Sequence, residues 1–254
     1  MCKIYIINLA SSLDRRARME LALGQLKLEN YEFISAIDGR KMSAADVNEK
    51  YNCKKSLDVT GRGFSRGEIG CALSHQKAYR TLLGSDSDYA LILEDDIELS
   101  VDTPDVLERI REWLVSSEPR VLLLTSLKGF CTKPSTILNS KYRMVDVKKA
   151  WWGMGYVINK AAAEKLIEVN GEVWLMADDW VEYKRNAGIM LKGVDPWLIK
   201  PAPEVESILE KDRKSVRAKK HRTWKYRAKK IRENVLLKIV EYFFWRPFKG
   251  YKRH

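Results

Sequence analysis

The 254-residue chain is 45% apolar and 31% charged, which is enough apolar content for an ordinary buried core and excludes disorder throughout. Its formal charge of +12 is a property of one end: residues 211–254 hold 17 Lys and Arg against 3 Asp and Glu, a net of +14, and the first 210 residues carry −2. The body of the chain therefore lacks the basic surplus that would mark it as a nucleic-acid binder.

Cys2, Cys53, Cys71 and Cys131 contain no close pair, so neither a zinc cluster nor a disulfide scaffold is indicated and reduced thiols are expected. The opening "MCKIYIINLASS" has a short apolar run that gives way to "DRRAR". That pattern fits neither a signal peptide nor a membrane span, and a cytoplasmic protein is expected.

"KIYIINL" (3–9) reads as a buried parallel strand, and the helix after it can be capped by Ser11 or Ser12, with Leu13, Ala17, Leu21 and Leu28 near helical spacing. "YEFISAIDG" (31–39) reads as a second strand ending in a glycine turn. Residues 46–63 read as a polar, lysine-rich connection, and "SRGE" (65–68) as a capping box that starts a helix running to about Leu83. "YALILEDDIEL" (89–99) holds the next strand; Thr103 and Pro104 form an N-cap with proline at the first helical position. "RVLLLTSL", "RMVDV" and "GYVIN" are further strands, and "KAAAEKLIEV" (160–169) is a helix. Strands alternating with helices predict an α/β fold with a mixed, mainly parallel sheet.

Glu94, Asp95 and Asp96 stand at the carboxyl end of a buried strand, where α/β folds gather functional groups. Adjacent carboxylates repel, and a divalent cation with oxygen ligands, Mg²⁺ or Mn²⁺, would relieve that repulsion. A solvated acidic turn is the plainer reading. Asp178 and Asp179 in "MADDWVEYK" either cap a short helix or supply a general base for an acceptor hydroxyl. Trp151, Trp152, Trp174 and Trp180 offer sugar-stacking surfaces or core packing. His75 reads first as a packing residue of its helix, and Arg15 and Arg16 either pair with a diphosphate or form a solvated helix face.

The ordered set "IINLASSLDRRARM", "FISAIDGR", "GEIGCALSHQKAY", "ALILEDDIEL", "GYVINKAAAEKL" and "DDW" resembles glycosyltransferase family 25, the bacterial lipooligosaccharide and lipopolysaccharide galactosyltransferase family, over about residues 3–200. The resemblance implies a GT-A-like, Rossmann-like domain, a UDP-galactose donor, and a lipid-linked outer-core acceptor. It also implies transfer with inversion and a metal, Mn²⁺ or Mg²⁺, at the acidic motif. On that basis Asp96 is the first metal ligand, with Glu94 or Asp95 reaching the metal through water or holding the ribose. Asn8, Arg15, Arg16, Asp38 and Gly39 would border the donor, and Asp179 or Asp178 would be the base. A late histidine ligand, which many such enzymes supply, is not assigned, because only His221 and His254 lie late in the chain.

The catalytic domain is expected over 1–205. Residues 206–254 form a basic amphipathic segment in which Ile231, Val235, Ile239 and Tyr242 or Phe243 make an apolar stripe. Such a segment fits adsorption to an anionic membrane surface, here the cytoplasmic face of an inner membrane. A helix packed on the catalytic domain is the plainer alternative. The rival functions are a non-catalytic adaptor for membrane or nucleic acid, and a metal-dependent nuclease.

Overall fold

The structure, a computed structural model, describes residues 2–203 and 223–253. In β1 (Lys3–Asn8) every residue after Lys3 is buried, as an apolar run covered on both faces requires. Its side chains alternate: Tyr5 and Ile7 enter the core on one side of the sheet, Ile4 and Ile6 the core on the other. The helix α1 (Leu13–Gln25) leads to β2 (Tyr31–Ser35), and β1 pairs in parallel with both β2 and β3 (Tyr89–Glu94). The expected β-α-β opening is therefore present.

The buried face of α1 differs from expectation. Met19 and Leu23, one turn apart, face the core, whereas Leu13 is 69% exposed and Leu21 64%. Leu28 packs from beyond the end of the helix, so it could not set the helix phase. The polar connection at 46–63 is also not a loop: it contains α2 (Ala44–Lys50) and α3 (Cys53–Thr60). Ser43 and Asp46 form a capping box for α2, Asn52 accepts from the Lys55 N–H to cap α3, and Gly61, at φ +77°, ends α3 in a left-handed conformation. Local caps thus rescue two helices with little core of their own.

The second capping box, Ser65 with Glu68, starts α4 (Arg66–Leu83) as expected. Beyond it come β4 (Ile97–Leu99), α5 (Thr103–Arg109), α6 (Arg111–Leu114), β5 (Arg120–Leu123), β6 (Gly129–Ile137) and β7 (Arg143–Lys149). Then follow β8 (Gly155–Asn159), α7 (Lys160–Asn170), α8 (Trp180–Asn186), β9 (Met190–Asp195), β10 (Ile199–Pro201) and β11 (Tyr251–Arg253). Thr103 is the first helical residue rather than the cap; its hydroxyl donates to the Ser100 carbonyl at 2.6 Å. The nine-stranded sheet has the order β11-β6-β7-β9-β5-β8-β3-β1-β2. It is mixed, with parallel pairing in β3-β1-β2 and β5-β9 and antiparallel pairing at its other junctions.

The described part of the basic segment is joined to this body rather than hanging from it. The C-terminal helix Trp224–Val240 lies against α3 and α8: Lys229 Nζ is 2.9 Å from a Glu182 oxygen, and Arg185 Nη1 is 2.6 Å from Glu233. The ring of Tyr226 fills the space where a side chain at Gly61 would sit. β11 then adds to β6 as an antiparallel edge strand. The proposed domain boundary at 205, and His221 and His254, lie outside the described residues. No described helix is long and apolar enough to cross a membrane.

Candidate active site

β3 ends at Glu94, and the chain bends through Asp95 and Asp96 before β4. Asp95 turns inward and both its oxygens are occupied: Asn8 Nδ2 donates to Oδ2 at 2.7 Å and Arg15 Nη1 to Oδ1 at 2.9 Å. Arg18 Nη2 donates to its carbonyl at 2.5 Å. Asn8 and Arg15, at the end of β1 and on α1, therefore pin the acidic turn in one conformation.

Asp96 is in a different position. Its Oδ1 is buried and has no hydrogen-bond partner among the described residues, and Arg15 is 3.8 Å from its other oxygen. Burial, then the charges of Glu94 and Asp95, push its carboxyl up to about 7 against the opposing pull of Arg15. Asp96, Glu94, Arg15, Asp38, Gly39 and His75 line one hollow of about 110 Å³. Sites for drug-sized ligands usually occupy about 300–1,000 Å³, so this hollow by itself has room for only part of such a ligand. Asp38, bordering it, is bound to Arg40 at 2.8 Å, which holds its carboxyl below the usual range.

Two glycines shape the wall. A Cβ at Gly39 would collide with the Arg66 carbonyl, and one at Gly70 with the Ile37 carbonyl and the Gly39 nitrogen, so only glycines let the start of α4 approach the loop after β2 this closely. Arg16 is not brought to the hollow; it pairs with Glu20 at 3.0 Å and lies over the Phe33 ring, 4.3 Å from its centroid.

The buried His75 connects this site to the core. Its Nε2 is 3.3 Å from Glu94 Oε1, its Nδ1 is 2.7 Å from the Tyr156 hydroxyl, and the Tyr79 and Tyr156 hydroxyls are 2.8 Å apart. Its packing role on α4 and a role at the site thus coexist. Cys71, His75 and Glu94 bring ligand atoms within 4.8 Å of one another. Both ring nitrogens of His75 already have partners, however, and a thiolate suits softer ions. The carboxylate oxygens of Glu94 and Asp96, with Oδ1 of Asp96 otherwise unsatisfied, fit a hard divalent cation better.

Asp178 and Asp179 do not line that hollow; Asp179 lines a second, larger cleft of about 390 Å³. Although Asp179 immediately precedes α8, its side chain caps no helical N–H; Oδ2 accepts instead from the Met176 N–H at 3.0 Å. Burial, then the Asp178 charge, raises its carboxyl to about 7. Arg62 offsets part of that rise while holding the buried Glu68 with both terminal nitrogens, at 2.6 and 2.8 Å. Arg62 is the site-forming residue that sequence reading missed, since residues 46–63 read only as a polar connection. Trp180 packs edge-on to Tyr156 at 4.7 Å, and Tyr156 stacks on His75 at 5.8 Å, so the three rings form one continuous aromatic cluster. Trp174 and Trp180 are core; Trp151 is half exposed and lines the second cleft.

The family description "Glycosyltransferase family 25 (LPS biosynthesis protein)" matches residues 1–181. The chain belongs to glycosyltransferase family 25. Among relatives of this family 25 member, human procollagen galactosyltransferase 2 is 23% identical over 180 residues, covering 66% of this chain and 28% of that protein. A human protein named inactive glycosyltransferase 25 family member 3 is 24% identical over 172 residues, covering 65% and 28%. The chain thus spans under a third of the length of these relatives. A solved Drosophila β1,4-galactosyltransferase 7 mutant, in complex with manganese, UDP-Gal and xylobiose, is similar at a TM-score of 0.43 and 11% identity, covering 88% of this chain and 82% of that one.

Proposed function

We propose that this family 25 protein is a divalent-metal-dependent galactosyltransferase that moves galactose from UDP-galactose to a hydroxyl of a lipid-linked lipooligosaccharide or lipopolysaccharide acceptor, with inversion. The observation that carries the reading is the buried, unsatisfied Oδ1 of Asp96 in a hollow that also holds Glu94 and Arg15. Asp96 and Glu94 would hold Mn²⁺ or Mg²⁺, which when bound neutralises charge on the departing diphosphate. Asp95 serves by fixing the turn through Asn8 and Arg15, and the Arg15 guanidinium adds positive charge beside the same hollow. Asp38 and Gly39 border the remainder of the donor subsite.

Asp179 acts on the acceptor side. Its raised pKa lets it take the hydroxyl proton near neutrality as the oxygen bonds to the anomeric carbon and UDP departs from the opposite face. Peripheral attachment to the cytoplasmic face of an anionic inner membrane belongs to the same proposal. It is supported by the C-terminal segment, where Ile231 on the helix is 66% exposed and Phe243 and Phe248 beyond its end are 60% and 73% exposed, among many cations. The test is incubation with a panel of UDP-sugars, Mn²⁺ and lipooligosaccharide, followed by NMR of the product anomer. A β-galactoside is expected; an α-linked product would overturn inversion and the role of Asp179.

A further inference from the structure

We infer that the cleft beneath the C-terminal helix is the acceptor subsite and that it takes a saccharide bearing an anionic group, phosphate or carboxylate, near the reacting hydroxyl. This rests on the reading of Asp179 as the acceptor-side base. The cleft, of about 390 Å³, is large enough for sugar residues, and its two walls come from different parts of the chain. Trp151, Lys149 and Asp179 come from the catalytic body, and Tyr226, Lys230 and Lys238 from the C-terminal helix.

The charge balance within the cleft decides the ligand class. Most of its carboxylates are spent internally: Glu182 on Lys229 at 2.9 Å, Glu233 on Arg185 at 2.6 Å, and Glu241 on Arg253 and, at 2.9 Å, Arg246. Lys148 is likewise committed to Asp146 at 3.0 Å. Lys149, Lys230 and Lys238 have no carboxylate within ion-pair distance among the described residues, and all three are exposed. The surplus in the cleft is therefore positive. Lys149 Nζ lies 4.7 Å from the centre of the Trp151 ring, so an aromatic face suited to a pyranose and a cation suited to its substituent are adjacent. Exposed lysines are compact, mobile point charges, which accommodate phosphate or carboxylate without demanding one geometry.

Core oligosaccharide released from lipopolysaccharide by mild acid is the probe, and calorimetric titration of the intact protein is the readout. The exposed positions of Lys149 and Lys230 let a Lys149→Glu, Lys230→Glu double variant fold normally, and it should bind about tenfold more weakly, with wild-type affinity falling as salt is raised. Removing phosphate with aqueous hydrofluoric acid, or masking carboxylates as methyl esters, identifies the group: the treatment that abolishes the salt dependence names it. Wild-type affinity in the double variant, no binding by the wild type, or undiminished binding after both treatments would each overturn the inference. Release of UDP from UDP-galactose is measured separately. Its absence alongside salt-sensitive oligosaccharide binding would remove the transferase reading and leave the anionic saccharide site standing.

Discussion

His75 Nε2 stands 3.3 Å from Glu94 Oε1, so a buried imidazole on α4 orients a carboxylate at the end of β3. The Tyr156 hydroxyl at 2.7 Å from Nδ1 fixes the ring from behind. Groups that orient metal-binding carboxylates typically matter by about 10–100-fold in metal affinity or activity. His75→Ala should raise the Mn²⁺ concentration needed for half-maximal activity by roughly that factor. Tyr156→Phe keeps the ring packing but strands the Nδ1 and Tyr79 partners, at about 1–3 kcal/mol of stability in urea titration. An unchanged metal requirement in His75→Ala would reduce His75 to a packing residue.

Asp179 links activity and stability with opposite signs. Its carboxyl is raised from 3.8 to about 7 in the folded protein. The unfolded chain releases this proton first, so the group destabilises the fold progressively between about pH 4 and pH 7 and most above that. Asp179→Asn should leave the melting temperature nearly unchanged at about pH 4 and raise it at about pH 8. The same variant should lose transfer, and the wild-type rate should climb through neutrality with a limb the variant lacks.

Arg62 and Glu68 form a pair with the carboxylate fully buried. Removing the guanidinium takes away the counter-charge of the buried Glu68, which costs about 3–5 kcal/mol. Urea denaturation of Arg62→Ala should show a loss of that size. A loss under about 1 kcal/mol would mean the pair is screened by solvent.

Membrane adsorption makes a prediction distinct from catalysis. Vesicles containing phosphatidylglycerol should sediment the wild-type protein, and replacing Phe243 and Phe244, exposed at 60% and 57%, with Ser should lower that binding severalfold. Neutral phosphatidylcholine vesicles should bind weakly. Equal binding of the variant and the wild type would remove the apolar stripe from the account.

Much of the site was legible because its signals are local. The Ser65 and Glu68 box, the buried strand before Glu94, and the carboxylates that follow it are all adjacent in sequence, and each occupies the expected place. What escaped notice depends on contacts distant in sequence. Arg62 matters because it reaches Met176 and faces Asp179, and β11 is a strand because β6 offers it an edge. β6 itself buries only its first three residues continuously, so no alternation announces it. The separate duties of Asp95 and Asp96 follow from Asn8 and Arg15, 87 and 80 residues before Asp95, which no spacing could reveal.

The central claim is tested most directly by UDP release from UDP-galactose, with acceptor and Mn²⁺, for the wild-type protein and Asp96→Asn. The account predicts turnover that chelation abolishes and that falls at least about 100-fold in the variant, together with loss of the Mn²⁺-induced rise in melting temperature. Undiminished, Mn²⁺-dependent turnover in Asp96→Asn would contradict it.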